Sequence, residues 1–159
     1  MEFAEKCNCN FLHIESSSAA AFFFRSALLD AKVRASVFHV PDASLGLKFL
    51  EKLDHFLKVP TPDLVVLGSN NNGISRFEML RRARGKGLHG ANRFVVISSS
   101  DHAGDLEEAM QLGALACYEA PRSYDGLLTI ASEIGLLLQR NSQQQPSVSG
   151  HARAIPRDV

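Results

Sequence analysis

Three polar clusters in this chain each follow an apolar run: Glu15 with Ser16, Ser17 and Ser18; Ser69 with Asn70, Asn71 and Asn72; and Ser98, Ser99 and Ser100 with Asp101 and His102. Hydroxyls and amides gathered in one mouth could bind a small anion or a nucleotide, helped by neighbouring helix N-termini. The same residue types are also ordinary loop and cap residues. The middle cluster is unusual for what it lacks. Residues 63–73 read Asp-Leu-Val-Val-Leu-Gly-Ser-Asn-Asn-Asn-Gly, so the apolar run ends on Gly68 with no carboxylate after it. Asp63 is five residues upstream, roughly 16 Å away at about 3.3 Å per extended residue. It reads as a strand-entry residue, and Asp101 as a helix cap.

Nucleophilic catalysis has no support. Gly68-Ser69 lacks the flanking pattern of a nucleophile elbow, and none of His13, His39, His55, His89, His102 and His151 has a sequence partner marking it as a base. His13 and His39 alternate with strand residues and read as packed; His102 alone falls in the mouth. Cys7, Cys9 and Cys117 make no even framework, which suits a reducing compartment. Cys7-Asn-Cys9 lacks the two further ligands a zinc site needs. No cofactor is expected, and the chain reads as no enzyme.

Seventeen basic and seventeen acidic side chains leave no net charge over 159 residues, so no global field recruits nucleic acid or a membrane surface. Arg81, Arg82, Arg84, Lys86, His89 and Arg93 form a local basic group. It reads as a solvated helix end, with an acidic protein partner as the alternative. No apolar run is long enough to cross a bilayer, and the expected location is the cytoplasm.

The elements that position these clusters alternate. Residues 8–15, 33–40, 64–67, 94–97 and 115–118 read as strands, the third and fourth being continuous apolar runs of the kind buried on both faces of a parallel sheet. Helices are expected over 19–29, behind a serine cap; after Pro41-Asp42, with Phe49, Leu50, Leu53, Phe56 and Leu57 on one face; through Ile74, Phe77, Leu80 and Ala83, ending at Gly85-Lys86-Gly87; over about 104–112; and beyond Pro121, burying Leu127, Ile130, Ala131, Ile134 and Leu138. Five alternations imply an α/β fold, a doubly wound five-stranded parallel sheet of the flavodoxin-like order. The expected organisation is an N-terminal tail at 1–8, one domain at 9–140, and a disordered tail at 141–159, where polar residues and Pro146 leave too little to bury.

Over about 11–140 the chain resembles a bacterial response-regulator receiver domain with the CheY-like (βα)5 fold. It is most similar to single-domain receivers that partner phytochrome-type histidine kinases. The landmarks are Ala-Ser-Leu-Gly-Leu-Lys-Phe-Leu at 43–50, Pro62-Asp63-Leu64, Ile-Ser-Ser-Ser-Asp at 97–101, Gly113-Ala114 and Ala120-Pro121. By that resemblance, two acids that help bind Mg²⁺ fall on Glu15 and Ser16, so one survives. The phosphoacceptor aspartate falls on Gly68, which has no nucleophile. The carbonyl donor to the metal falls on Asn70, the phosphoryl-contacting hydroxyl on Ser98, and the lysine on Ala120. The switch aromatic falls on Cys117, too small to couple to Ser98 by swinging. The Ala120-Pro121 bond would be cis by family habit, whereas an X-Pro bond is trans by default.

Phosphoryl transfer needs acceptor, metal and positive charge together, and one glutamate among neutral groups is a poor Mg²⁺ site. Losing the acceptor and the lysine together is coherent, because a buried lysine without its carboxylate is costly. The resemblance therefore implies a degenerate receiver in two-component signalling, working by protein contacts without phosphorylation. Its implied partners are a histidine kinase or a second copy through the last two helices and last strand. The alternative is a flavodoxin-like domain binding a small molecule or anion around Ser16, Ser69 and Ser98.

Overall fold

The computed structural model describes residues 9–68, 76–88, 94–98 and 104–144, with backbone alone at 76, 105, 106 and 141–144. Along these residues the order is β1 (Cys9–Ile14), α1 (Ser18–Asp30), β2 (Ala35–Val40), α2 (Ala43–Glu51), a 3-10 turn (Asp54–Phe56), β3 (Leu64–Leu67), α3 (Arg76–Gly85), β4 (Phe94–Ser98), α4 (Asp105–Gln111), β5 (Ala116–Glu119) and α5 (Tyr124–Gln144). All neighbouring strands pair in parallel, in the order β2-β1-β3-β4-β5. The order reverses direction between β1 and β3, which opens a crevice at the carboxyl ends of those strands.

Period-two alternation divides the core. Leu12, Ile14, Val65, Leu67 and Val96 face one side with α2, α3 and α4 residues such as Leu47, Phe49, Met79 and Ala109. Phe11, Leu64, Val66, Val95 and Ile97 face the other with Phe24, Leu28, Ile130, Ile134 and Leu138 of α1 and α5. Strands buried on both faces must be apolar at every position, which is why 64–67 and 94–97 read as unbroken runs. Each fully buried Leu, Ile or Phe contributes about 1.5–3 kcal/mol.

The helix starts follow their caps. The Ser17 hydroxyl accepts from Ala20 N at 3.1 Å, and the Asp42 carboxylate accepts from Leu45 N at 2.9 Å, each satisfying an orphan donor of a first turn. Gly46 lets α2 lie close on β1, since a Cβ there would press on the Ile14 side chain. Gly87, at φ 75°, closes α3 while Leu88 N donates to Ala83 O at 2.8 Å.

Several expected boundaries move. The apolar stripe after Asp42 is not one helix: α2 stops at Glu51, and Lys52 takes a left-handed φ of 58°. The 3-10 turn then folds Phe56 back to 5.3 Å from Phe49, ring to ring, leaving Leu53 and Leu57 exposed. Val33 closes the turn after α1, donating to Leu28 O at 2.9 Å, so β2 begins at Ala35. Strand β5 is shifted to Ala116–Glu119. Helix α5 passes the expected limit at Asn141 and reaches Gln144, one further turn; the rest of that tail, the 1–8 segment and Ile74 lie outside the described residues. The Ala120-Pro121 bond is trans, as is every described peptide bond.

Candidate functional site

Three backbone ladders run past the strand ends and fix the crevice. Glu15 N donates to Val40 O at 3.0 Å, Gly68 N to Ile14 O at 2.9 Å, and Ala120 N to Ser98 O at 2.6 Å. His39 adds a fourth tie: its Nε2 lies 2.7 Å from Glu15 O. A carbonyl can only accept, so Nε2 carries the proton.

Alternation along β1 sends Phe11, His13 and Glu15 to the α1/α5 side of the sheet. Glu15 is buried, and its Oε2 accepts from Ser17 N at 3.0 Å, tying it to the start of α1. Its Oε1 turns toward Gly68. An added Cβ on Gly68 would overlap Oε1 and stand 3.0 Å from Glu15 Cδ and 3.2 Å from Ile14 O. The Glu15 carboxylate thus occupies the volume into which a side chain at the end of β3 would project.

Behind this pair is a cavity of about 480 Å³, lined by Glu15, Gly68 and Ala120, with His13 beside them. Phe23 and Phe24 of α1 and Ile97, Pro121 and Leu127 make most of its wall apolar; Arg122 stands at its exposed rim. His13 is buried against Phe24, ring centroids 4.6 Å apart, and against His39 at 6.0 Å. Its Nδ1 is buried with no hydrogen-bond partner among the described residues. Burial, then the nearby charges of His39 and Arg25, hold its pKa down at about 3, so the ring is neutral at physiological pH.

Of the positions singled out in the sequence, Glu15, Gly68 and Ala120 meet in this cavity. Ser98 ends β4, buried but outside that lining, and Ser16 is partly buried at the head of α1. Cys117 faces away, packed on the α2–α4 side of the sheet. Asn70 lies outside the described residues, as do Ser69, Asn71, Asn72, Ser99, Ser100, Asp101, His102, His89 and Arg93. Asp63 is a strand-entry residue as expected: its carboxylate accepts from Asn10 N at 2.8 Å, at the far end of β3. His13 reads from sequence as merely packed, yet its alternation with Glu15 already puts both on one face. The aromatic wall from α1 has no local signal, because Phe23 and Phe24 enter the site only through helix packing.

Among the described residues no group of three His, Cys, Asp or Glu side chains could hold a metal ion. The basic group is partly consumed. Arg81 bridges Glu78 and Glu108 at 3.3 and 3.0 Å, Arg82 pairs with Glu78 at 3.0 Å, and Lys86 with Glu51 at 3.1 Å. No described helix is long and apolar enough to cross a membrane.

No family model and no curated protein matches the chain. Solved structures do. The phosphorylated cyanobacterial phytochrome response regulator RcpA is 20% identical, with 85% of this chain and 96% of that one covered and a TM-score of 0.74. A response regulator in red light signaling of R. palustris is 18% identical over 79% of this chain and 90% of that one, TM-score 0.72. A response regulator receiver domain protein from Clostridium thermocellum is 16% identical over 84% and 98%, TM-score 0.64. The chain has the CheY-like fold of the response-regulator receiver domains.

Proposed function

We propose that this chain is a phosphorylation-independent receiver-like module of two-component signal transduction, working in the cytoplasm through protein contacts. The observation that carries the reading is the Glu15–Gly68 pair: the end of β3 offers no acceptor oxygen, and the one remaining acid fills the space beside it. Ala120, a methyl group at the end of β5, supplies no cation to neutralise a phosphoryl group. Among the described residues neither an acceptor at the end of β3 nor a cation at the end of β5 is present to carry phosphoryl transfer, while the scaffold that presents the surrounding surfaces is retained.

A histidine kinase is the partner that the structural neighbours suggest, since phytochrome and red-light response regulators share the fold. A second copy docking through α4, β5 and α5 is the other. Those two helices each keep a large apolar side chain open to solvent, Met110 and Leu136.

Incubation with Mg²⁺ and acetyl phosphate or phosphoramidate, read by intact mass beside an active receiver, tests the chemistry. The expected outcome is an unchanged mass while the control gains a phosphoryl group. A base-labile adduct mapped to a carboxylate overturns the reading.

A further inference from the structure

We propose that the cavity between α1 and the β5–α5 connection is a binding site for a small planar nitrogen heterocycle that presents N–H donors along one edge to Glu15 and His13. This goes beyond the signalling reading and does not depend on it.

The volume, about 480 Å³, lies within the range of small-molecule sites, which are apolar with a few placed polar groups. Phe23, Phe24, Ile97, Pro121 and Leu127 supply apolar and aromatic wall suited to a flat ring. Space remains at the strand ends because Ala120 contributes only a methyl group, while the volume beside Gly68 is taken by the Glu15 carboxylate.

The polar groups select the edge chemistry. Glu15 is buried in the lining and brings acceptor oxygens. Among the described residues the only lining cation is Arg122, which is exposed at the rim. An anion entering the cavity would meet a carboxylate with no buried lining cation to offset it, which disfavours phosphate and carboxylate ligands. A neutral or singly cationic ring with N–H donors meets no such cost.

His13 is the second, independent sign. Leaving a buried ring nitrogen without a partner is costly, and native proteins leave few such groups without a reason. Being neutral, the imidazole has one donor and one acceptor. The tautomer decides which of the two Nδ1 is, so that nitrogen can accept from an N–H of a bound edge. A purely structural core position at this point of β1 would be served as well by Phe or Leu.

Adenine and aminobenzimidazole are the probes, with benzoate and inorganic phosphate as anionic controls. Binding is followed by calorimetry and by the ¹⁵N shifts of labelled histidine. The expected result is saturable binding of a heterocycle with a moved His13 nitrogen resonance, and none for the anions. Ala120→Leu, which fills the cavity from a partly exposed position, should weaken binding by at least about tenfold. His13→Phe should weaken it while circular dichroism stays unchanged. Absence of saturable binding by both heterocycles at millimolar concentration overturns the proposal, as does binding that survives Ala120→Leu or is matched by benzoate. Should either variant fail to fold, the other and the His13 shift in the unaltered chain decide. The phosphoryl-transfer assay reads a covalent gain of mass and the binding assays read reversible occupancy by an uncharged ring, so the two readings fail separately.

Discussion

The Glu15 carboxylate stands in the space that a Gly68 side chain would claim, held there by Ser17 N at 3.0 Å. Gly68→Ala should therefore destabilise the fold by about 1–3 kcal/mol, because the new methyl overlaps a buried carboxylate rather than the loose end of an exposed chain. Glu15→Ala should lower stability on its own, by removing the acceptor for Ser17 N. The double variant should then cost less than the sum of the two, with a coupling of about 1 kcal/mol or more, since the clash no longer exists. Urea denaturation of the four proteins measures it, and strict additivity would show that Glu15 gives way freely.

His13 should make the fold acid-sensitive. Its folded pKa of about 3 lies below the ordinary value of 6.5, so between those values the unfolded chain binds a proton that the native chain refuses. Stability is unaffected above about pH 6.5, falls as pH drops below it at up to ~1.4 kcal/mol per pH unit, and levels off near the folded pKa. His13→Phe should remove that share of the acid limb. Denaturant midpoints at pH 7 and pH 5 for both proteins are the measurement, and identical acid losses in the two would assign the sensitivity to other groups.

Lys32 closes α1 with a left-handed φ of 64°, a conformation that costs a side-chain-bearing residue about 1 kcal/mol relative to glycine. Lys32→Gly should thus raise stability by roughly 0.5–1 kcal/mol, less the extra freedom glycine gives the unfolded chain. A melting temperature below that of the parent would mean that Lys32 makes a compensating contact.

The sheet was legible in the sequence because 64–67 and 94–97 are unbroken apolar runs and Ser17 and Asp42 are helix caps with no better use. The end of α2 was not, because Leu53, Phe56 and Leu57 keep helical spacing while the backbone turns at Lys52, a residue with no preference for that conformation. At the site, that Gly68 brings no side chain and Ala120 no charge could be read from residue type alone. Where the Glu15 carboxylate went could not, since that depends on a backbone donor from the next helix. Nor could the cavity, whose wall brings together Phe23, Phe24 and Leu127 from two helices far apart in sequence.

Placing a carboxylate at position 68 should not by itself make the chain a phosphoryl acceptor. In Gly68→Asp the new carboxylate arrives beside the buried Glu15 carboxylate, two like charges with only the Ala120 methyl group and the Ser16 hydroxyl near the strand ends to face them. That arrangement should cost about 1–3 kcal/mol or more of stability and leave the mass unchanged after acetyl phosphate and Mg²⁺. Adding Ser16→Asp and Ala120→Lys changes the balance: three clustered carboxylates create a site that a hard divalent cation can occupy, and the lysine offsets the charge of the acceptor and phosphate. The triple variant should gain a Mg²⁺-dependent, base-labile phosphoryl adduct on the carboxylate introduced at position 68, which the single variant lacks. Adduct formation by the single variant would show that Glu15 swings out and serves the metal unaided. Failure of a folded triple variant would place the remaining defect outside these four positions.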